Sequence, residues 1–297
     1  MKILLLGKNG QVGHELQRTL LPLGRVVALG RQDTDLEDLA GFERTLNDHS
    51  PDIIVNATAY TTVDKAEGDE VTARIVNADA VKVMAEYAQR TNTLLVHYST
   101  DYVYDGEKNE PYTEADTANP QSAYGRTKLA GERAITHSGC KALVFRTSWV
   151  FSAHGNNFIK TIMRLAKERD NLGIVADQIG APTSAELIAD VTALAIAGYK
   201  KGIVSNGTYN LTASGETSWH GLARHAVNRL QSNGIALKLT VDQVRPITTE
   251  EYPLPAKRPK NSRLDTGKLS TALGLQLPQW TIHVDRAIDQ LTICTEN

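Results

Sequence analysis

Short apolar runs alternate with longer amphipathic stretches through the first half of the chain, the rhythm of repeated strand-helix units. Residues 3–6, 26–29, 53–55, 94–98 and 142–145 predict five strands, and 11–20, 39–47, 70–90 and 122–136 predict helices between them. Parallel strands need crossovers of about that length, and helices supply them. An α/β fold with a parallel sheet follows. After Trp149 the rhythm loosens, with turn signals at 155–157 and 180–182. Helices are predicted over 158–169, 185–199 and 281–291, and a strand over 208–211. Residues 246–259 hold four prolines and little periodicity, which reads as an ordered loop.

Gly7, Gly10 and Gly13 follow the first predicted strand and open the first predicted helix. In that context a G-x-x-G-x-x-G turn is a dinucleotide site: glycine backbone approaches a pyrophosphate, and the helix N-terminus favours its charge. The sheet is therefore of the Rossmann-type, doubly wound kind, with a dinucleotide-binding domain over 1–150. The sheet resumes within about 185–215, and 151–184 with 216–297 form a smaller substrate-binding lobe. A site for NAD carries an acidic residue about 20 residues past the glycines, at the end of the second strand. Here that strand runs into Gly30-Arg31. The guanidinium suits a 2′-phosphate, so NADPH is expected over NADH, although Asp33 and Asp35 follow closely.

Composition narrows the rest. The 297 residues suffice for a large core without disulfide or metal staples. With 32 basic against 34 acidic side chains the net charge is −2, and no run of one sign argues for nucleic acid or a membrane surface. Cys140 and Cys294 form no C-x-x-C pair, so free thiols in a reducing compartment are expected. Residues 3–6 are too short for the apolar part of a signal peptide. A cytoplasmic protein is the expectation.

Two further segments carry chemistry: residues 99–106, Ser-Thr-Asp-Tyr-Val-Tyr-Asp-Gly, and 124–128, Tyr-Gly-Arg-Thr-Lys. Tyr124 and Lys128 lie four apart, on one helical face, where an ammonium can lower a phenol's pKa. A hydroxyl, a tunable phenol and a cation suit proton transfer at a carbonyl. Y-x-x-x-K alone is a weak signal, and gains value from the dinucleotide turn upstream.

These features together resemble the extended short-chain dehydrogenase/reductase family. Within it, Asn56-Ala57-Thr58-Ala59-Tyr60, residues 63–67, His97-Tyr98-Ser99-Thr100-Asp101-Tyr102, 146–149, 155–158, 177–183, Arg258-Pro259 and 261–264 are similar to the dTDP-4-dehydrorhamnose reductase family across essentially the whole chain. That resemblance implies NADPH-dependent reduction of the 4-keto group of dTDP-4-dehydro-β-L-rhamnose, the last step in making a rhamnose donor for cell-surface polysaccharide such as lipopolysaccharide. It implies Tyr124 as proton donor, Lys128 as the cation that lowers its pKa and binds the nicotinamide ribose, and Thr100 as a hydroxyl on the substrate oxygen. Gln11 and Val12 continue the glycine turn, Asp35 and Leu36 fall beside the adenine, and Ala57, Thr58, Ala59 and Tyr98 against the cofactor. Asp101 and Trp149, with Asn157 and Arg263 as weaker candidates, contact the sugar nucleotide, and Arg258 competes for its diphosphate. Some members resemble Mg²⁺-linked homodimers; Glu15 and Glu186 match two of the ligands, while Gln290 falls at the third and lacks the charge. Other readings stay open: another 4-keto-sugar reductase, a dehydratase or epimerase, or a regulatory subunit. Tyr102 stands where dehydratases carry Glu, which weighs against elimination chemistry.

Overall fold

The computed structural model describes residues 1–293. The first half runs β1 (Lys2–Leu6), α1 (Gln11–Thr19), β2 (Arg25–Leu29), α2 (Leu39–His49), β3 (Ile53–Asn56), α3 (Val63–Ala66), α4 (Glu70–Arg74), α5 (Ala80–Thr91), β4 (Leu94–Thr100), α6 (Ala123–Ser138) and β5 (Ala142–Thr147). It continues with β6 (Val150–Phe151), α7 (Phe158–Glu168), β7 (Leu172–Val175), β8 (Ile179–Gly180), β9 (Thr183–Ser184), α8 (Ala185–Lys200), β10 (Gly207–Asn210), β11 (Thr217–Ser218), α9 (Trp219–Ser232), β12 (Val244–Ile247), α10 (Gly267–Leu273) and α11 (Trp280–Ile293). Six strands form one parallel sheet in the order β10-β5-β4-β3-β1-β2. The strand order reverses between β1 and β3, and a crevice opens at such a switch point. The glycine turn, Arg31, residues 57–59, Thr100 and Trp149 lie at or just past the carboxyl ends of β1, β2, β3, β4 and β5.

Alternation along the buried strands sorts their side chains to two faces. Ile3, Leu5, Ile53, Val55, Leu94 and Val96 share a core with α1 and α8, whereas Leu4, Leu6, Ile54, Leu95 and Val144 pack with Phe42 and Leu46 of α2 and Met84 of α5. Each such apolar side chain contributes about 1.5–3 kcal/mol on burial. Near-continuous apolar strands are the signature of a sheet covered on both faces.

The helix expected over 70–90 is interrupted by a π-helical turn, Ile75–Asp79. Buried Asn77 explains it: its amide accepts from Tyr60 N at 2.8 Å and donates to Tyr60 O and Thr127 Oγ1, pinning the helix to two neighbours. The proline-rich stretch begins as a strand rather than a loop. Pro246 lies in β12, which pairs only with β7, and a two-stranded ribbon tolerates a missing N–H. Cys140 is a buried free thiol, and burial raises its pKa; Cys294 lies outside the described residues. Among those residues, no helix is long and apolar enough to cross a membrane.

Candidate active site

The glycine-rich turn is a cradle built by backbone alone. Gly7 adopts φ +87°, and a Cβ there would lie 2.7 Å from the Ala57 carbonyl oxygen. One on Gly13 would fall 1.9 Å from the carbonyl oxygen of Gly7, so neither position admits a side chain without moving backbone. Gly10 caps α1 without a side-chain hydrogen bond, and the first turn holds no acidic residue. Its free N–H groups suit a pyrophosphate. Val12 packs against the core, and the Gln11 amide is held by Asn157 Nδ2 at 2.9 Å.

A cavity of about 530 Å³ opens beside this turn, lined by Gly7, Gly10, Arg31, Asp35, Leu36, Ala57, Thr58 and Ala59. Beside it, two pairs of charges at the loop after β2 are compensated. Arg31 pairs with Glu37 at 2.6 Å, and Lys8 with Asp33 at 2.7 Å, while Asp33 also accepts from Gly30 N at 2.7 Å. Lys8 and hydrogen bonding to Gly30 hold the Asp33 carboxyl below the usual range. Sequence reasoning missed Lys8 and Glu37, because their pairing depends on how the loop after β2 folds back.

The chemical end lies where β4 meets α6. Ser122 caps α6, accepting from Gly125 N at 3.1 Å. A Cβ on Gly125 would lie 2.2 Å from Tyr102 O, so this glycine lets the helix press onto the turn carrying Thr100 and Asp101. Thr100 and Asp101 are buried, and Thr100 Oγ1 donates to Asp101 Oδ1 at 3.0 Å. Tyr124 meets Tyr102 edge-on, ring centroids 5.5 Å apart. Lys128 is wholly buried, donating to Tyr98 O at 2.6 Å, while the Tyr98 hydroxyl is engaged with Thr192 at 2.8 Å.

Electrostatics here differ from expectation. The Tyr124 phenol is raised, first by burial and then by Asp101, not lowered by Lys128. The physical reason is that burial dominates, the Asp101 charge adds to it, and the Lys128 ammonium is turned to a backbone carbonyl. A raised phenol stays protonated at neutral pH, the form a proton donor needs. Burial pushes Asp101 up to about 6 and Lys128 down to about 8.

A second cavity, about 1110 Å³, lies between α7, β7, α9 and β12. Arg258 and Arg263 both line it. Arg263 is engaged at all three guanidinium nitrogens, by Asn261, Glu216 and Asn109 O. Arg258 bonds Tyr102 Oη at 3.0 Å and Asp64 at 2.7 Å, and its buried Nε has no partner. Its free N–H makes it the better anion ligand of the two. Trp149 does not line either cavity: at φ +50° its indole stacks on Trp219, centroids 3.6 Å apart, and covers Gly180. Trp219, absent from the sequence-based set, lines the larger cavity. Asn157 is a helix cap and a clasp on Gln11, not a wall of either cavity.

The expected metal site finds no support within the chain. Among the described residues no group of three or more His, Cys, Asp or Glu stands close enough to hold an ion, and Glu186 is bound by Arg286 at 2.9 Å.

Residues 1–293 match the family model described as the RmlD substrate binding domain. A dTDP-4-dehydrorhamnose reductase of Burkholderia thailandensis is 48% identical, the match covering 98% of this chain and 99% of that one. A solved dTDP-4-dehydrorhamnose reductase of Clostridium acetobutylicum superposes with TM-score 0.89 at 38% identity, covering 98% and 100%. One from Bacillus anthracis, in complex with NADP, gives 0.85 at 30% identity, covering 98% of each. With a glycine cradle shaped for a dinucleotide and a Thr-Tyr-Lys cluster at its far end, this chain belongs to the dTDP-4-dehydrorhamnose reductase family of nicotinamide-dependent oxidoreductases.

Proposed function

We propose that the chain reduces the 4-keto group of dTDP-4-dehydro-β-L-rhamnose to give dTDP-L-rhamnose, with NADPH as the favoured cofactor. The observation that carries this reading is that Gly125 lets α6, with Tyr124 and Lys128, press onto the turn that carries Thr100 and Asp101. Tyr124 shares a small apolar cluster with Tyr60, which lines the smaller cavity, and its ring neighbour Tyr102 bonds Arg258, which lines the larger.

A bound nicotinamide supplies hydride to C4 of the sugar. The N-terminus of α1 and the glycine turn hold the pyrophosphate, and Lys128 hydrogen-bonds the ribose. Tyr124 gives its proton to O4. Thr100 donates to the same oxygen once its hydroxyl turns from Asp101, and Asp101 grips a sugar hydroxyl. Arg258 and Trp219 face the nucleotide diphosphate and base. At the adenosine rim Arg31 exchanges Glu37 for the 2′-phosphate, which favours NADPH.

Incubation with dTDP-4-dehydrorhamnose and NADPH, following loss of the reduced nicotinamide and identifying the sugar, is the direct test. Stoichiometric oxidation with dTDP-rhamnose as product is expected. A 6-deoxy-talose donor, a redox-neutral rearrangement, or binding of NADPH without turnover would each overturn the reading.

A further inference from the structure

Behind Lys128 stands a polar chain that the mechanism above leaves unused. Asn56 closes β3 and His97 sits beside it in β4, in direct register. Both are buried. Asn56 Oδ1 accepts from Thr58 N at 3.1 Å and from the Thr58 hydroxyl. A backbone N–H can only donate, so the amide is oriented without ambiguity. Its nitrogen is then the atom 3.0 Å from His97 Nδ1. A donor facing Nδ1 requires a lone pair there, and a neutral ring must carry its proton on Nε2.

That Nε2 lies 3.4 Å from Lys128 Nζ. An N–H aimed at an ammonium meets another donor; aimed at a neutral amine it meets a lone pair. We infer that His97, held in its Nε2–H tautomer by Asn56, is a positioning residue that disfavours the charged form of Lys128 and so keeps this lysine poised between its two protonation states. The inference rests on the reading of Lys128 as the cation of the site.

The surroundings agree. Burial and the Lys128 charge together push the His97 imidazolium well below its ordinary range, so the ring stays neutral. Glu132, one turn along α6, favours the ammonium, but its carboxylate is gripped by Arg146 of β5 through both nitrogens. Charged groups on the other elements against α6 are engaged elsewhere: Glu67 with Ala123 N, Glu70 with Arg126, Asp64 with Arg258, Asp79 with Arg74 and Lys82 with Glu86. Asp101 is hydrogen-bonded to Thr100 at the Tyr124 side. His97 is thus the group in hydrogen-bonding reach of Nζ that opposes the charge.

Nitrogen-detected NMR of the full-length protein labelled at histidine and lysine reads this without turnover. His97 is expected as the Nε2–H tautomer, and Lys128 Nζ is expected to titrate far below an ordinary lysine. Asn56→Asp offers Nδ1 an acceptor, flips the tautomer, and should raise the Lys128 titration and the basic limb of kcat/KM by about one pH unit, a tenfold change in proton affinity. Because the new carboxylate also acts through its charge, His97→Gln, whose uncharged amide can turn an acceptor oxygen to Nζ, serves as the second variant. It should move the limb in the same direction while the KM for the cofactor holds. An Nδ1–H tautomer in the native protein, or a limb that stays in place in both variants, would overturn the inference; a merely structural role lowers kcat at every pH and moves no limb. Failure to reduce the keto-sugar would sink the proposed reaction instead, leaving the tautomer and the Lys128 titration to decide this inference.

Discussion

The two ends of the cofactor groove are built on opposite principles. At the chemical end Thr100, Asp101 and Lys128 are each no more than 5% exposed, and burial is the main cause of the Asp101 and Lys128 shifts. At the adenosine end the charges are paired with one another in the open, the Arg31 side chain being 81% exposed and bonded to Glu37. Burial makes each group at the first end strongly dependent on its neighbours, because an unmatched polar atom there has no water to turn to. Exposed pairs exchange partners at little cost. Reaction type is therefore hard to change by substitution in this molecule, and cofactor preference is easy.

The largest test of that contrast is Tyr124→Phe, which removes the proposed proton donor and should lower kcat by about 10²–10⁴ with folding intact, read by steady-state rates and circular dichroism. Near-normal turnover would sink the assignment. Thr100→Val comes next, with about a tenfold loss in kcat for one buried hydrogen bond and a smaller change in KM. The pH profile follows. Lys128 has a depressed pKa of about 8, so its charge is present below that value and lost as pH rises through it, and kcat/KM should fall on the basic side. The same shift gives the sign for stability: between about 8 and the ordinary 10.5 the unfolded chain binds the extra proton, so this group's burial costs least at high pH. Thermal unfolding across that window checks it. Smallest is Arg31→Ala, expected to raise KM for NADPH by up to about tenfold while leaving NADH nearly unchanged. Equal effects on both cofactors would show that the adenosine end is not where they are told apart.

The same contrast explains what could be read from the sequence. The parallel sheet and the glycine turn were legible because apolar runs and glycines act locally: Gly7, Gly10 and Gly13 mean the same thing in any strand-turn-helix. The Tyr124 and Lys128 spacing was legible for a similar reason. The direction of the Tyr124 shift was not, since it depends first on burial and then on the Asp101 carboxylate, a matter of packing between α6 and the end of β4. The stacking of Trp149 was hidden for the same cause: nothing in its neighbourhood along the chain announces Trp219, seventy positions on, against which its ring lies. Nor does local pattern show that Asn157 reaches back to Gln11. The π-helical turn at Asn77 was hidden because it answers to Tyr60 and Thr127, not to its own segment.

The strand β10 arrives at the sheet only after α7 and α8 have been laid down, and Gly207 pairs with Leu143. Such a return path delays completion of the sheet, since a contact between distant residues must wait for the loop between them to close. It also makes the molecule hard to divide. A fragment ending near residue 150 would leave β5, with Leu143 and Phe145 now uncovered, as an open apolar edge ready to pair with another chain. Synthesis of the first half alone should therefore yield aggregate, and the nascent chain is expected to complete its catalytic sheet only once the residues beyond Asn210 have left the ribosome.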